Sequence, residues 1–478
     1  MESSKEKLKD NRQVSFGMAV VVMLALAAIF MVGFGVFKIN TQAIFLLAVV
    51  AAAIAGLLSG FTLEEVHQFF LDGCGKVIMA AMILMTVGAV IGSWIVSGIV
   101  PTIIYYGLGV LTPTSFLLAG FFICCILSFF TGSSYSAIST LGVAFMGISI
   151  GLNINPAITA GMIVSGSVFG DKLSPFSDST NLAAAMADAN VFDHVRSMLY
   201  TTVPAMIISA VLYFIISMRY SAETLDTTII ISMQQALTQN FNINPLLLLV
   251  PIITVVLAVK KVPPIAALVA SALLGIVMAF IFQGGIYDIK TIMSSLGTGF
   301  SINTDIADLN RLLSRGGMLG MMGATALAFL AVGMGEILQR IGVLTVILSK
   351  LSKVVNSKPA VVISTLVIGL VVTVLCASQY IAIILTGQIM KNSYKKYELS
   401  RVVLSRTLED GGTIFAYLVP WSTAAVFVSG VLGVDVFAYA PYAFFCILCP
   451  IIAAIYALVG FAQFKEVYED EAEVVAEV

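Results

Sequence analysis

The sequence predicts an all-α polytopic membrane protein built from two inverted repeats, whose broken helices and re-entrant segments meet at the midplane. Three observations carry that expectation: the scarcity of charge, the recurrence of long apolar runs, and paired polar interruptions in the two halves. Over 478 residues the chain is 59% hydrophobic and only 10% charged, with a mean hydropathy of +1.05. Soluble domains carry about 25% charged residues to keep their surfaces hydrated. Most of this surface must therefore face lipid.

The apolar runs set the number of crossings. Residues 14–37 contain no charge, and at ~1.5 Å per helical residue such a run crosses a ~30 Å hydrocarbon core. Comparable stretches recur at 41–61, 77–100, 114–130, 197–218, 243–259, 262–282, 316–335, 359–375 and 436–460. Shorter, interrupted ones lie within 137–169 and 380–431. About eleven to thirteen passes are expected. Continuous rather than alternating hydrophobicity favours helices over a barrel.

Charge places the ends. Lys5, Lys7, Lys9 and Arg12 precede the first span, which by the positive-inside rule puts the N-terminus in the cytoplasm of a cell inner or plasma membrane protein. The first span is too long for a cleaved signal. Residues 1–13 read as a cytoplasmic tail, 14–218 as the first transmembrane half, 219–242 as a connector, 243–463 as the second half and 464–478 as an acidic tail (Glu466, Glu469, Asp470, Glu471, Glu473, Glu477). The connector is marked by Arg219, Glu223, Asp226 and the Gln234–Gln235 pair, and suits a surface helix. A net charge of −2 gives nucleic-acid binding no support. Six cysteines sit in or beside apolar runs and read as small buried side chains. Two histidines, His67 and His194, leave no basis for a His-rich metal site. The expected reading of His194 is a solvated histidine at a span boundary. No cofactor and no enzymatic nucleophile–base pair is expected, and no P-loop is present.

The repeat is read from the order of features. A shift of 243 residues brings Gly73 onto Gly316 and Ser179–Thr180 onto Ser422–Thr423, although overall identity along it is low. Each half has a long apolar run and then a polar interruption: 131–136 (TGSSYS) in the first, 376–380 (CASQY) in the second. A second interruption follows, at Gly170–Asn181 and at Glu409–Thr413 extending to Ser422–Thr423. Paired interruptions of this kind point to a midplane binding site.

Chemistry concentrates in the second interruptions. In Gly170-Asp-Lys-Leu-Ser-Pro-Phe-Ser-Asp-Ser-Thr-Asn181, Pro175 lacks an N–H and disfavours helix at Ser174. Freed carbonyls with Asp171, Ser177, Asp178, Ser179, Thr180 and Asn181 supply the oxygens a hard cation needs. The alternative is a polar interfacial loop in which Ser177 or Asp178 caps the next helix. Lys172 either pairs with Asp171 or releases it when a cation arrives. In the second half Glu409, Asp410, Gly411, Gly412 and Thr413, then Ser422 and Thr423, suggest another broken helix. Its alternative is a cytoplasmic turn balanced by Arg401 and Arg406. Glu336 and Arg340, spaced i, i+4, suit a surface ion pair. Ser133, Ser134, Ser378 and Gln379 could add oxygens from the first interruptions.

At these residues the chain resembles the NhaC family of Na+/H+ antiporters. The resemblance runs in order through FGDKLSPFSDSTNLA (169–183), VFDHVRSMLYTTVPA (191–205), LLSRGGMLGMM (312–322), QYIAIIL (379–385), LSRTLEDGGTI (404–414) and VPWST (419–423). Two departures stand out: Ser422 where the family usually has Asn, and Gly-Met-Gly-Glu336 where it has a Gly-Gly pair. The resemblance implies secondary exchange of Na+ against H+. The wider family includes exchangers of small carboxylates, such as malate for lactate, so a small organic acid or an amino acid is the alternative cargo. On this reading Asp178 is the first candidate for the carboxylate that alternates between proton and Na+, and Asp171 the second. Ser177, Ser179, Thr180 and Asn181 would be neutral ligands, with Glu409, Asp410, Thr413, Ser422 and Thr423 lining the matching position. Partners are then Na+, H+ and the bilayer, and the oligomeric state stays open between monomer and homodimer.

Overall fold

The computed structural model describes residues 14–222, 227–353 and 355–468. The basic N-terminal cluster, Glu223 and Asp226, and the acidic residues from Glu469 onward lie outside the described residues. Among those described, nine helices are long and apolar enough to cross a membrane, and two bent pairs raise the number to eleven. That meets the lower end of the expected range. One bent pair, Ile230–Asn240 with Pro245–Val259, begins in the connector and turns by 94°; the other, Thr423–Leu432 with Val436–Tyr442, turns by 89°.

The helices run in chain order α1 (Phe16–Phe30), α2 (Thr41–Leu58), α3 (Leu63–Val96), α4 (Ile99–Val110), α5 (Pro113–Thr131), α6 (Ser134–Gly151), α7 (Pro156–Leu173), α8 (Asp178–Met186) and α9 (Val191–Ala222). After α10 (Thr227–Asn240) come α11 (Leu249–Val259), α12 (Pro264–Gln283), α13 (Ile289–Thr298), α14 (Ala307–Leu313), α15 (Met322–Arg340) and α16 (Val343–Lys353). Then follow α17 (Lys358–Cys376), α18 (Gln379–Lys396), α19 (Arg401–Leu408), a π-helical turn Glu409–Thr413 leading into α20 (Ile414–Ala416), α21 (Thr423–Leu432), α22 (Val436–Tyr439) and α23 (Phe444–Val459). The span Phe16–Val36 is only 22% buried within the protein, whereas Ser134–Gly151 is 72% buried. The first therefore presents its apolar side chains to lipid, and the second belongs to the core.

Sequence sets the breaks. Helix α5 stops at Gly132, which takes the left-handed conformation (φ 66°), and Ser133 caps α6 by accepting from the Ser136 N–H at 3.2 Å. The equivalent stop in the second half is Ala377 (φ 55°), followed by Ser378 as the cap of α18. Each pair folds back on itself: the Phe116 and Phe145 rings lie 6.0 Å apart across the first hairpin, and Tyr394 Oη donates to Thr365 Oγ1 at 3.3 Å across the second. Helix α7 opens with Asn155 as cap and Pro156 at its first position, where a missing N–H costs nothing. It ends before Pro175, which disfavours helix in the residue preceding it.

The register repeats closely. Helices α5 and α17 are 245 residues apart at both ends, as are α6 and α18, and the starts of α8 and α21 keep the same spacing. The two broken helices also cross in opposite directions. Asp188, just past α8, and Ser400–Arg401, at the start of α19, line one cavity. Gly161, near the start of α7, meets Tyr442, which follows α21 and α22.

Candidate functional site

Each half supplies a broken helix to the other. Helix α8 packs on α18, α19 and the π-helical turn, while α21 packs on α6. The Thr423 N–H donates to the Ala377 carbonyl at 2.9 Å, joining the start of α21 to the tip of the second hairpin. At that junction the chain buries four charges: Asp171 and Lys172 from the end of α7, and Glu409 and Asp410 from the π-helical turn.

Lys172 forms a fully buried ion pair with Asp410 Oδ1 across the two halves. The sequence offered Asp171 as its partner. Neighbouring residues on an α-helix point about 100° apart, so Lys172 faces the second half while Asp171 faces the first hairpin. Asp410 Oδ1 also accepts from Cys449 Sγ at 3.1 Å and Thr201 Oγ1 at 3.4 Å. Asp171 Oδ2 accepts from the Ser134 N–H at 3.0 Å and from Ser134 Oγ at 2.6 Å. The Ser134 hydroxyl in turn lies 2.5 Å from Tyr417 Oη, so the carboxylate is held by the start of α6 and by the break that precedes α21.

Glu409 is different. It is completely buried, and neither carboxylate oxygen has a hydrogen-bond partner; Asp410 Oδ2 and Thr413 Oγ1 are unpartnered as well. An isolated carboxylate away from water is costly by many kcal/mol unless a proton or cation neutralises it. Its polar surroundings are Lys172, the Thr413 and Ser179 hydroxyls and the Asp171 carboxylate. The π-helical turn is what brings Glu409 here: the Ile414 N–H reaches back to the Glu409 carbonyl, five residues earlier. Helix α17 lies close against this turn, and a Cβ on Gly369 would stand 2.8 Å from the Gly411 carbonyl carbon. The reading of Glu409–Asp410 as a cytoplasmic turn balanced by Arg401 and Arg406 is therefore replaced. Both acids are interior, Arg401 pairs with Glu466 at 2.9 Å, and Arg406 donates to the Ala462 carbonyl at 3.0 Å.

The remaining candidates separate by role. Asp178 opens α8 and is exposed, whereas Ser177 and Ser179 are buried with their hydroxyls 3.2 Å apart. Thr180 Oγ1 donates to the Lys172 carbonyl at 3.1 Å, and Asn181 Nδ2 donates to the carbonyls of Pro175 and Ser177 at 3.0 and 2.7 Å. These two side chains satisfy backbone freed by the break. Ser422 caps α21, accepting from the Ala425 N–H at 3.1 Å and donating to the Ala416 carbonyl, while Thr423 is half-buried beside it. Among the described residues no group of three or more His, Cys, Asp or Glu side chains converges as a ready-made metal cluster. A cation bound here would rest on one or two carboxylates plus neutral oxygens.

Other expectations changed on burial. His194 is fully buried, with Nδ1 2.7 Å from Ser405 Oγ, and so is not a solvated loop histidine. The Glu336–Arg340 pair forms at 2.9 Å, but Glu336 is 1% exposed and also holds Lys76, with Asp72 3.5 Å from Arg340. Tyr417 and Thr201 went unrecognised in the sequence. The signal for Thr201 was present: His194, Ser197 and Thr201 fall at i, i+3 and i+7, a polar stripe on one face of an apolar helix.

Comparison with known proteins agrees with this architecture. The model of the Na+/H+ antiporter family matches residues 11–180 and 166–461. The chain is 38% identical to the malate-2H(+)/Na(+)-lactate antiporter of Bacillus subtilis (strain 168), over 86% of this chain and 87% of that protein. It is 35% identical to the Na(+)/H(+) antiporter NhaC of Alkalihalophilus pseudofirmus, over 95% of this chain and 98% of that one. It is 32% identical to the arginine/ornithine antiporter ArcD of Halobacterium salinarum, over 98% and 97%. Matched over nearly its whole length and carrying its buried charges where two broken helices cross, the chain belongs to the Na+/H+ antiporter family and is a multi-pass membrane secondary antiporter, not an enzyme.

Proposed function

We propose that the protein exchanges Na+ for H+ at the crossing of its broken helices, with Glu409 as the group that alternates between proton and cation. The observation that carries this reading is the charge balance. Three carboxylates and one ammonium are buried at the crossing, with the Arg406 guanidinium buried a turn outside it; the ammonium is engaged by Asp410, and Glu409 has no hydrogen-bond partner. Such a site asks for a cation. A carboxylate cargo would instead need an uncommitted cationic side chain at the crossing; Lys172 is engaged by Asp410, and the buried Arg406 is held a turn outward on the Ala462 and Ser197 oxygens. Asp171, already oriented by Ser134, is the second carboxylate. Ser177, Ser179 and Thr413 supply neutral oxygens, Ser422 and Thr423 fix the far side, and Asp178 stands at the rim as an acidic entrance.

Proton and Na+ compete for Glu409, and only the neutralised states cross, because an empty anion is costly at membrane depth. The halves at 14–218 and 243–463, joined by 219–242, are read as inverted repeats that rock about this fixed site. The N-terminus is placed on the cytoplasmic side by its basic tail.

The identity to a malate/lactate antiporter favours a second reading, exchange of small carboxylates coupled to protons or Na+. Reconstituted protein separates the two. A Na+ gradient alone should drive proton movement in sealed vesicles free of organic acids and amino acids. If movement appears only once malate, lactate or an amino acid is added, the cation reading fails.

A further inference from the structure

A cavity of about 510 Å³ opens beside the start of α19, lined among others by Asp193, Arg196, Ser197, Arg401, Val402 and Glu466. Helices α9 and α19 run inward from it as two sides of a ladder. The outermost rung is Ser197 Oγ donating to the Val402 carbonyl at 3.1 Å. Next, Arg406 Nη1 points to Ser197, 3.4 Å from Oγ and 3.5 Å from the carbonyl. One turn deeper, Thr201 donates to Asp410 Oδ1. The Arg406 side chain therefore stands between the cavity and the buried Lys172–Asp410 pair.

Its charge is not cancelled there. Arg406 is 1% exposed, its acceptors are the Ala462 and Ser197 oxygens, and its Nε has no partner. Among the described residues no carboxylate lies within ion-pair distance of it; Arg401 and Lys172 have taken Glu466 and Asp410. An ionisable side chain at membrane depth is costly. A fixed cation buried at low dielectric repels other cations near it, a device by which pores exclude them.

We propose that Arg406 is an electrostatic plug that keeps Na+ in the cavity from reaching Asp410, so that cation exchange runs only past Glu409 and Asp171. The proposal rests on the cation reading above and adds a specificity-determining residue outside the exchange site. It also gives the segment after α23 a purpose. The Ala462 carbonyl orients the guanidinium, and the Phe464 carbonyl and Glu466 carboxylate fasten that segment to Ser400 and Arg401.

The test is passive 22Na+ efflux from proteoliposomes holding the full chain, with no opposing Na+ or proton gradient. One unit charge a helical turn (~5.4 Å) from the passage, at an effective dielectric of ~20, changes cation entry by roughly two orders of magnitude before screening. Arg406→Gln should raise the leak roughly tenfold or more, and Arg406→Lys should leave it at the wild-type level. Ser197→Asp, which places a carboxylate against the guanidinium from the cavity side, should also raise the leak, even if Arg406→Gln folds poorly. A folded Arg406→Gln or Ser197→Asp protein with no rise in leak, whether or not it still exchanges, would overturn the plug. Failure of the wild type to move protons on a Na+ gradient would instead sink the cation reading, and leaves the leak comparison readable.

Discussion

Replacing Glu409 by Gln tests the exchange site most directly, because it keeps the shape and removes both titration and charge. The magnitude follows from the environment. A unit charge ~4 Å from a carboxylate oxygen at an effective dielectric of ~20 gains about 4 kcal/mol. Halving that for desolvation and relaxation leaves about 2 kcal/mol, or ~30-fold in Na+ affinity. Loss of one neutral hydroxyl, as in Thr413→Ala, costs nearer 1 kcal/mol, ~5-fold. Glu409→Gln should therefore abolish Na+-driven proton movement, since the proton-carrying form is lost as well, while Thr413→Ala only raises the half-saturating Na+ concentration. Stability supplies an independent reading. Neither oxygen of Glu409 makes a hydrogen bond, so Gln should leave the stability of purified protein, read from thermal melting, within about 1 kcal/mol of wild type. In the wild type, raising Na+ should lower the apparent proton affinity of transport, as competition for one group requires. Folded Glu409→Gln protein that exchanges within a few-fold of wild type would refute the assignment and return the role to Asp171 or Asp178.

Three further outcomes follow. Lys172→Met strands Asp410 in the interior and should cost about 3–5 kcal/mol of stability, whereas Lys172→Met combined with Asp410→Asn should recover most of it, measured as a double-mutant cycle on thermal melting. Asp178→Asn should reduce exchange only a few-fold, because the side chain is exposed and Asn caps a helix about as well as Asp; complete loss would restore Asp178 as the carrier. Gly369→Ala should push the π-helical turn off α17, with a cost of about 1–3 kcal/mol in stability and a larger loss of transport than of folding.

The class of protein and the positions of its breaks were legible because they depend on local chemistry. Pro175, the Gly132–Ser133 pair and the Gly411–Gly412 pair each interrupt helix by their own backbone preferences, and the structure interrupts or distorts helix at each. The 243-residue shift read from the features lies two residues from the 245-residue register of the hairpins. What the sequence did not disclose were relationships across the crossing. Nothing local says that Lys172 reaches Asp410 rather than Asp171, or that Asp178 stays exposed while Glu409 is sealed in. Those facts depend on which face of α7 meets the second half. The same holds for His194 and Glu336, whose span-end positions suggested solvent, while packing of α9 on α19 and of α3 on α15 buried them.

The adjacent acids at 409 and 410 show how one turn can do two incompatible things. An ion pair that ties the halves together has to keep its charge, whereas a group that carries protons has to lose it. Placed in the same surroundings, two neighbouring carboxylates would titrate as a coupled pair and blur both roles. A helical backbone separates neighbouring side chains by about 100°. Asp410 accordingly meets Lys172, Thr201 and Cys449, and Glu409 meets hydroxyls it does not bond. The π-helical turn adds the freedom this needs, since a widened turn re-aims side chains that a regular helix would fix, and such turns recur at functional sites. Opposite environments for paired carboxylates are the usual way one site separates a fixed charge from a titrating one. On this argument the order of the two acids matters, not merely their presence. Glu409→Asp with Asp410→Glu keeps composition and charge but shortens the free carboxylate and lengthens the paired one. The swapped protein should insert and fold, and yet exchange at least tenfold more slowly at sub-saturating Na+, by the same ~1.4 kcal/mol per decade. Wild-type rates from that protein would mean the acids are interchangeable, and the division of labour would be wrong.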